Sequence, residues 1–128
     1  RGYGGMIRKP RNGTEKPPRN AKDYPEALKW YQASADKGEA WSQLSLGRMY
    51  ELGQGVAQNY VEAANWYGKA AKQGLANAEY NLGSMYERGA GFPIDTRRAS
   101  LWYGKAALKG LETAAKAFRR LKAASQQK

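Results

Sequence analysis

The chain has 128 residues, with no cysteine or histidine, and its 22 Lys and Arg against 11 Asp and Glu give a net charge of +11. This length suits one domain with its own hydrophobic core. The missing residue types exclude disulfides, Cys/His zinc sites, thiol nucleophiles and imidazole bases. No apolar run reaches the roughly 20 residues of a membrane-spanning helix. We therefore expect a soluble protein, either cytoplasmic or, after processing, periplasmic or secreted.

The excess positive charge lies at the two ends of the chain. Residues 1–22 carry a net charge of +6, residues 23–115 are neutral, and residues 116–128 carry +5. Nucleic-acid-binding domains more often spread basic residues over one face, so this distribution disfavours that class, although basic ends can bind phosphates by themselves. Because residues 1–22 are rich in Gly and Pro, they are predicted to form a basic arm that is either flexible or packed as an N-terminal cap.

A Trp-Tyr pair recurs every 36 residues along the chain, at positions 30–31, 66–67 and 102–103. The same offset relates the glycines that follow these pairs, Gly38, Gly74 and Gly110. It also relates the segment Leu46-Gly47 to Leu82-Gly83. A fixed period of 20 to 50 residues is the signature of a solenoid built from stacked repeats.

Each repeat is predicted to contain two helices, so the fold class is all-α. The first helix covers residues 40–52 and again 76–88, and a glycine that tolerates a left-handed backbone follows it. The second helix begins after an N-cap at Asp23, Asn59 or Asp95 and ends before a glycine. With a terminal capping helix over residues 111–125, the prediction is six helices in three antiparallel pairs.

Two features of the repeat predict how these helices pack. Glycine inside a helix is unfavourable, so Gly47 and Gly83 indicate close helix–helix approach. The Trp-Tyr pairs are expected to fill the space between helices, with Trp buried and Tyr keeping its hydroxyl at the edge.

The repeated strings resemble the Sel-one-like repeat family, a group of α-solenoids related to tetratricopeptide repeats. The resemblance rests on LGRMYELGQGV (46–56), AANWYGKAAKQG (63–74) and their copies one period later, and it covers about residues 23–115. It implies a half repeat over residues 23–38, full repeats over 39–74 and 75–110, and a capping helix over 111–125 within a solenoid of residues 23–128. Phe92-Pro93 replaces the small apolar residue usual in this family, which we expect to alter one loop only.

The resemblance also implies a protein-binding scaffold. From the missing Cys and His and the lack of a phosphate-binding motif, we expect no enzyme activity, cofactor or metal. Matching the repeats to tetratricopeptide positions places ten residues toward a partner-binding groove: Trp41, Leu44, Arg48, Glu51, Asn77, Tyr80, Ser84, Glu87, Lys116 and Arg120. Trp41 and Tyr80 have no aromatic counterpart one period away, so they are the candidate anchors. Glu51 and Glu87 do recur, and the favoured interpretation is a solvated or structurally paired carboxylate.

Two classes of function stay open on the sequence alone. The first is binding of a protein partner. The chain would act either as an adaptor or as an inhibitor, such as the immunity protein of a bacterial toxin. An inhibited partner should present an acidic surface, because charge complementarity would speed association. The alternative is binding of a polyanion, a nucleic acid or an acidic lipid, through the basic ends. As an enzyme the chain offers only Ser/Lys or paired carboxylates. Catalysis is disfavoured because no phosphate-binding loop follows a strand, and because carboxylates one repeat apart should lie about 8–10 Å or more from each other by helix packing.

Overall fold

The computed structural model describes residues 23–126, and the predicted arm over residues 1–22 lies outside the described residues. The described part contains six α-helices and no strands. These are α1 (Tyr24–Asp36), α2 (Ala40–Leu52), α3 (Tyr60–Lys72), α4 (Ala76–Arg88), α5 (Thr96–Leu108) and α6 (Glu112–Ser125). None of these helices is both long and apolar enough to cross a membrane. The all-α prediction and the bounds of α2 and α4 are confirmed.

The glycines of the repeat end the helices in the predicted way. Gly53 and Gly89 follow α2 and α4 with φ angles of 71° and 76°. The backbone of both residues therefore adopts the left-handed conformation that favours glycine. Gly38 and Gly110 have φ angles of 95° and 92° in the turns after α1 and α5. These turns are only a few residues long, so the helices that they join run antiparallel.

The predicted N-caps form at two of the three positions. Asn59 Oδ1 accepts the N–H of Glu62 at 3.0 Å, and Asp95 Oδ1 accepts the N–H of Arg98 at 3.0 Å. Asp23 makes no side-chain capping bond, so the prediction is wrong there. Its backbone φ and ψ of −95° and 36° depart from the extended conformation in which a capping side chain reaches the first turn.

The chain forms two compact units that divide between Trp66 and Tyr67. In the first unit, α1 packs against α2, and the core cluster contains Ala35, Leu46 and Trp66. Two buried polar contacts join α1 to α2. Ser42 Oγ donates to Ser34 Oγ at 2.6 Å, and Gln43 Nε2 donates to the carbonyl of Ala35 at 3.3 Å. Buried polar groups are therefore paired where these two helices meet.

In the second unit, α5 packs against both α4 and α6. The core cluster contains Ala99, Tyr103 and Ala117, with Phe118 and Leu121 partly buried against it. A Cβ atom added to Gly83 would lie 2.8 Å from Cδ1 of Tyr103 and 3.2 Å from the carbonyl oxygen of Ala99. The predicted close approach is thus present at Gly83, where α5 occupies the space that a side chain would need.

The burial of the Trp-Tyr pairs differs from the prediction. Tyr67 and Tyr103 are buried more deeply than Trp66 and Trp102, and only in the first pair is the Trp the more buried residue. Tyr103 can be buried because its hydroxyl finds a partner inside the unit, the carboxylate of Glu87 at 2.8 Å.

The loop between α4 and α5 contains the unusual Phe92. The ring of Phe92 stacks on Tyr86 with a centroid distance of 4.0 Å. The backbone nevertheless follows the α2–α3 loop, since Gly91 has a φ of 81° and the N–H of Asp95 donates to Tyr86 O at 2.9 Å, as Gly55 and Asn59 do one period earlier. Phe92 therefore changes the side-chain packing of this loop and leaves its hydrogen-bond pattern intact.

Candidate functional site

The candidate residues of α2 divide into exposed and buried positions. Trp41 is 60% exposed and Arg48 is also exposed, and their spacing of seven residues places both on one face of the helix. Leu44 is only 6% exposed, so the prediction that it faces a partner is wrong. Leu44 lies three residues after Trp41, and it is buried together with the nearby Gln43 and Leu46. Glu51 is half-buried at the end of the helix.

The candidate residues of α4 include one that the core uses. Asn77 is exposed, and Ser84 is half-buried and accepts a hydrogen bond from Arg88 Nε at 3.0 Å. Tyr80 is half-buried and packs on the ring of Tyr103, with a centroid distance of 5.3 Å. Tyr80 therefore contributes to the packing around Tyr103, and its role in binding a partner stays a prediction.

Two further candidates, Glu87 and Arg120, form an ion pair with each other. Arg120 donates from Nη1 to Glu87 Oε2 at 2.6 Å and from Nη2 to Oε1 at 3.1 Å, a bidentate pair that joins α4 to α6. The hydroxyl of Tyr103, on α5, donates to the same Oε1 at 2.8 Å. We call these three residues the Glu87 cluster. The last candidate, Lys116, is exposed on α6.

Contacts within the Glu87 cluster lower the pKa of Glu87 and raise the pKa of Tyr103. The hydrogen bonds from Arg120 lower the pKa of Glu87, against an opposing effect of burial, and the Tyr103 hydroxyl lowers it further. Burial raises the pKa of Tyr103, and the Glu87 carboxylate beside it raises it again. An ionised Glu87 and a neutral Tyr103 can hold the hydrogen bonds that join α4, α5 and α6. This is the structurally paired carboxylate that the sequence analysis favoured for Glu87.

The stability of the protein is expected to depend on pH through Glu87. Because the pKa of Glu87 is lower in the folded state than in the unfolded chain, its contribution is complete above the unfolded value of about 4.3 and is lost as the pH falls through the folded value. The free energy of unfolding of the native chain should fall more steeply below pH 5 than that of Glu87→Gln. We expect a difference of about 1 kcal/mol, a modest value because Arg120 is more than half exposed.

Urea unfolding of both proteins from pH 6 to pH 3 measures this difference. Glu112→Gln is the matched control, because this carboxylate forms only an exposed pair with Arg119 at 3.5 Å. Equal slopes for the native chain and Glu87→Gln would contradict the prediction.

The sequence interpretation missed a buried carboxylate in α4. Glu79 of α4 has only 3% of its side chain exposed, and Lys109 Nζ lies 2.6 Å from its Oε2. Oε1 of Glu79 is buried without a hydrogen-bond partner among the described residues. One signal could have pointed to this ion pair: the preceding repeat has an uncharged residue, Gln43, at the position of Glu79.

Comparison with known families finds three matches within the chain. A family model described as Sel1 repeat matches residues 12–39, 42–75 and 76–111, so the first match begins inside the predicted basic arm. No protein with a curated description matches this chain.

Several solved structures have the same fold, and three of them are bacterial proteins. A protective antigen of uropathogenic Escherichia coli strains, displaying an SLR fold, is 36% identical with a TM-score of 0.69, over 71% of this chain and 20% of that one. A Sel1 repeat protein from Oxalobacter formigenes is 42% identical with a TM-score of 0.66, over 67% of this chain and 66% of that one.

Cysteine-rich protein B of Helicobacter pylori is 23% identical with a TM-score of 0.66, over 70% of this chain and 68% of that one, and it shows the likeness of fold alone. The chain therefore spans about a fifth of the Escherichia coli antigen and about two thirds of the other two proteins. These matches agree with an α-solenoid of helical repeats.

Proposed function

Because the chain belongs to the Sel1 repeat family, whose members are generally protein-interaction modules, we propose that it binds a protein partner through the exposed face of α2. Trp41 carries this proposal. Its side chain is 60% exposed, and the equivalent position of the next repeat is the polar Asn77. An exposed Trp that the repeat does not require is the residue type that most often anchors a protein interface.

Arg48 supports the proposal from the same face of α2. Arg and Trp are both enriched among the residues that dominate interface energetics. The next repeat has Ser84 at the position of Arg48, so this pair of side chains occurs only in α2. A partner that contains an apolar pocket flanked by carboxylates would bury Trp41 and pair with Arg48.

Replacing Trp41 by alanine is expected to weaken partner binding by about 30-fold, which corresponds to about 2 kcal/mol for an anchor residue. Affinity capture from the source organism identifies the partner, and titration calorimetry then gives the dissociation constants. Val61→Ala is the matched control, because Val61 is 61% exposed on α3 and also loses exposed apolar area. A partner that binds Trp41→Ala as tightly as the native chain would refute this site.

Two roles are compatible with such binding. As an adaptor, the chain would hold its partner without changing the partner's activity. As an inhibitor, such as the immunity protein of a bacterial toxin, it would block that activity at a 1:1 ratio. An activity assay of the captured partner, with and without the chain, distinguishes the two roles.

Polyanion binding is the second candidate, and the surface of α6 supports it. Lys116, Arg119 and Lys122 are exposed on this helix. Within residues 23–126, Arg119 is the only one of the three that lies near a carboxylate, Glu112 at 3.5 Å. Binding of a nucleic acid or an acidic vesicle through these cations would weaken by several decades between low and physiological salt. A partner anchored on Trp41 would lose far less affinity over the same range.

A further inference from the structure

An open cleft of about 290 Å³ lies between α5 and α6 in the second unit. It is lined by residues from the first turns of α5 and the last turns of α6, namely Thr96, Arg97, Ser100, Leu101, Leu121, Lys122 and Ser125. We call this the α5–α6 cleft. One of these lining residues, Leu121, also packs on the core cluster around Tyr103.

The lining of the α5–α6 cleft is positive and apolar. It contains two cations, three hydroxyl groups and two leucines, and no carboxylate. The carboxylate nearest in sequence, Asp95, already accepts the N–H of Arg98 and lies 3.5 Å from its guanidinium. The described part of the chain therefore places no anion in the lining beside Arg97 and Lys122.

Two exposed leucines extend this surface along α5. Leu101 is 65% exposed and Leu108 is 90% exposed, and seven residues separate them. At the position of Leu101 the earlier repeats have Lys29 and Asn65. At the position of Leu108 they have Asp36 and Lys72. The repeat therefore does not require apolar residues here, and only α5 exposes them.

The spacing of the leucines indicates the shape of what they bind. Seven residues make about two helical turns, or about 10.5 Å along the axis. A partner helix that presents apolar side chains at the same i, i+7 spacing can align with them, as in helix-in-groove recognition. Such a helix would place its flanking residues beside Arg97 and Lys122, where carboxylates are favoured by charge complementarity.

We propose that the α5–α6 cleft, together with Leu101 and Leu108, binds an amphipathic helix of another protein that carries carboxylates beside its apolar stripe. A second copy of this chain fits the surface less well, because two chains of net charge +11 repel each other. This surface shares no residue with the exposed face of α2 around Trp41, called the Trp41 face below, and does not depend on the function proposed for that face.

The test measures binding of a capped helical peptide of about 16 residues, with leucines at i and i+7 and glutamates at the flanking positions. Its counterpart has lysines in place of the glutamates. By fluorescence anisotropy, the native chain should bind the glutamate peptide at least about tenfold more tightly than the lysine peptide. Equal affinity for the two peptides, or no binding of either, would overturn the proposal.

The double substitution Leu101→Asn with Leu108→Lys should weaken binding of the glutamate peptide at least about tenfold. It introduces the residues that the preceding repeat has at these exposed positions, so the fold should be retained, which circular dichroism checks. The new lysine adds positive charge, which by itself should favour the glutamate peptide, so a loss of affinity with the fold retained is assigned to the lost apolar contact. An unchanged affinity would overturn the proposal.

Two further measurements separate this surface from its alternatives. Trp41→Ala should bind the glutamate peptide as the native chain does, and a loss of binding there would assign the peptide to the Trp41 face instead. Sedimentation at micromolar concentration should show a monomer. Self-association abolished by the double substitution would identify a second copy as the occupant and overturn the assignment to an acidic helix.

Discussion

Replacing Lys109 by methionine is expected to lower the free energy of unfolding by about 2–3 kcal/mol, because it leaves the buried Glu79 carboxylate without its cation. Methionine keeps most of the unbranched, apolar part of the lysine side chain and removes the ammonium group, which supplies both the charge and the hydrogen bond. The expected loss is smaller than for a fully buried pair, since Lys109 is partly open to solvent. Urea denaturation of the two proteins at pH 7 measures the difference.

The matched rescue of this variant comes from the preceding repeat. Gln43 stands one period before Glu79 and donates to the carbonyl of Ala35. The carbonyl of Ala71 is the equivalent acceptor for a glutamine at position 79. Adding Glu79→Gln to Lys109→Met should therefore restore most of the stability. If Lys109→Met is as stable as the native chain, the ion pair contributes nothing and the prediction fails.

Replacing Gly83 by alanine should destabilise the protein although alanine is the better helix former. The new methyl group would lie 2.8 Å from the ring of the buried Tyr103, too close for any side chain. Overpacking of this kind costs about 1–3 kcal/mol, and the gain in helix propensity offsets about 1 kcal/mol of it. Thermal and urea unfolding of the variant should both show a net loss.

The same substitution at Gly68 is the control for this prediction. Gly68 lies inside α3, and a Cβ atom there would meet nothing within 4 Å. Gly68→Ala should therefore raise the free energy of unfolding by up to about 1 kcal/mol. Opposite signs at the two glycines support close packing at Gly83, whereas a gain at both would contradict it.

The repeat made most of the fold predictable. Glycines fix where helices end, and a fixed period transfers one helix assignment to the next copy, so the bounds of α2 and α4 followed from the sequence. The depth of burial did not follow. Leu44 and Trp41 are three residues apart on one helix, and a modest rotation of α2 about its axis decides which of them faces the core.

Polar pairing was the other feature that sequence patterns did not reveal. The Glu79–Lys109 pair joins residues thirty positions apart, and Glu87 pairs with Arg120 across thirty-three. Both contacts break the repeat, since Gln43 replaces the acid in one case and the terminal helix supplies the arginine in the other. A sequence repeat shows only the residues that its copies share, so it does not predict an interaction that occurs in a single copy.

The contact between Gly83 and Tyr103 has a consequence for how this sequence can diverge. The ring occupies the volume of the missing side chain, so Tyr103 fits in its present position only when residue 83 is glycine. A shorter residue at position 103 would open room for alanine at position 83, and it would also remove the hydroxyl bound by Glu87. Among descendants of this chain, these two positions should change together, and a repeat designed from it must carry both or neither.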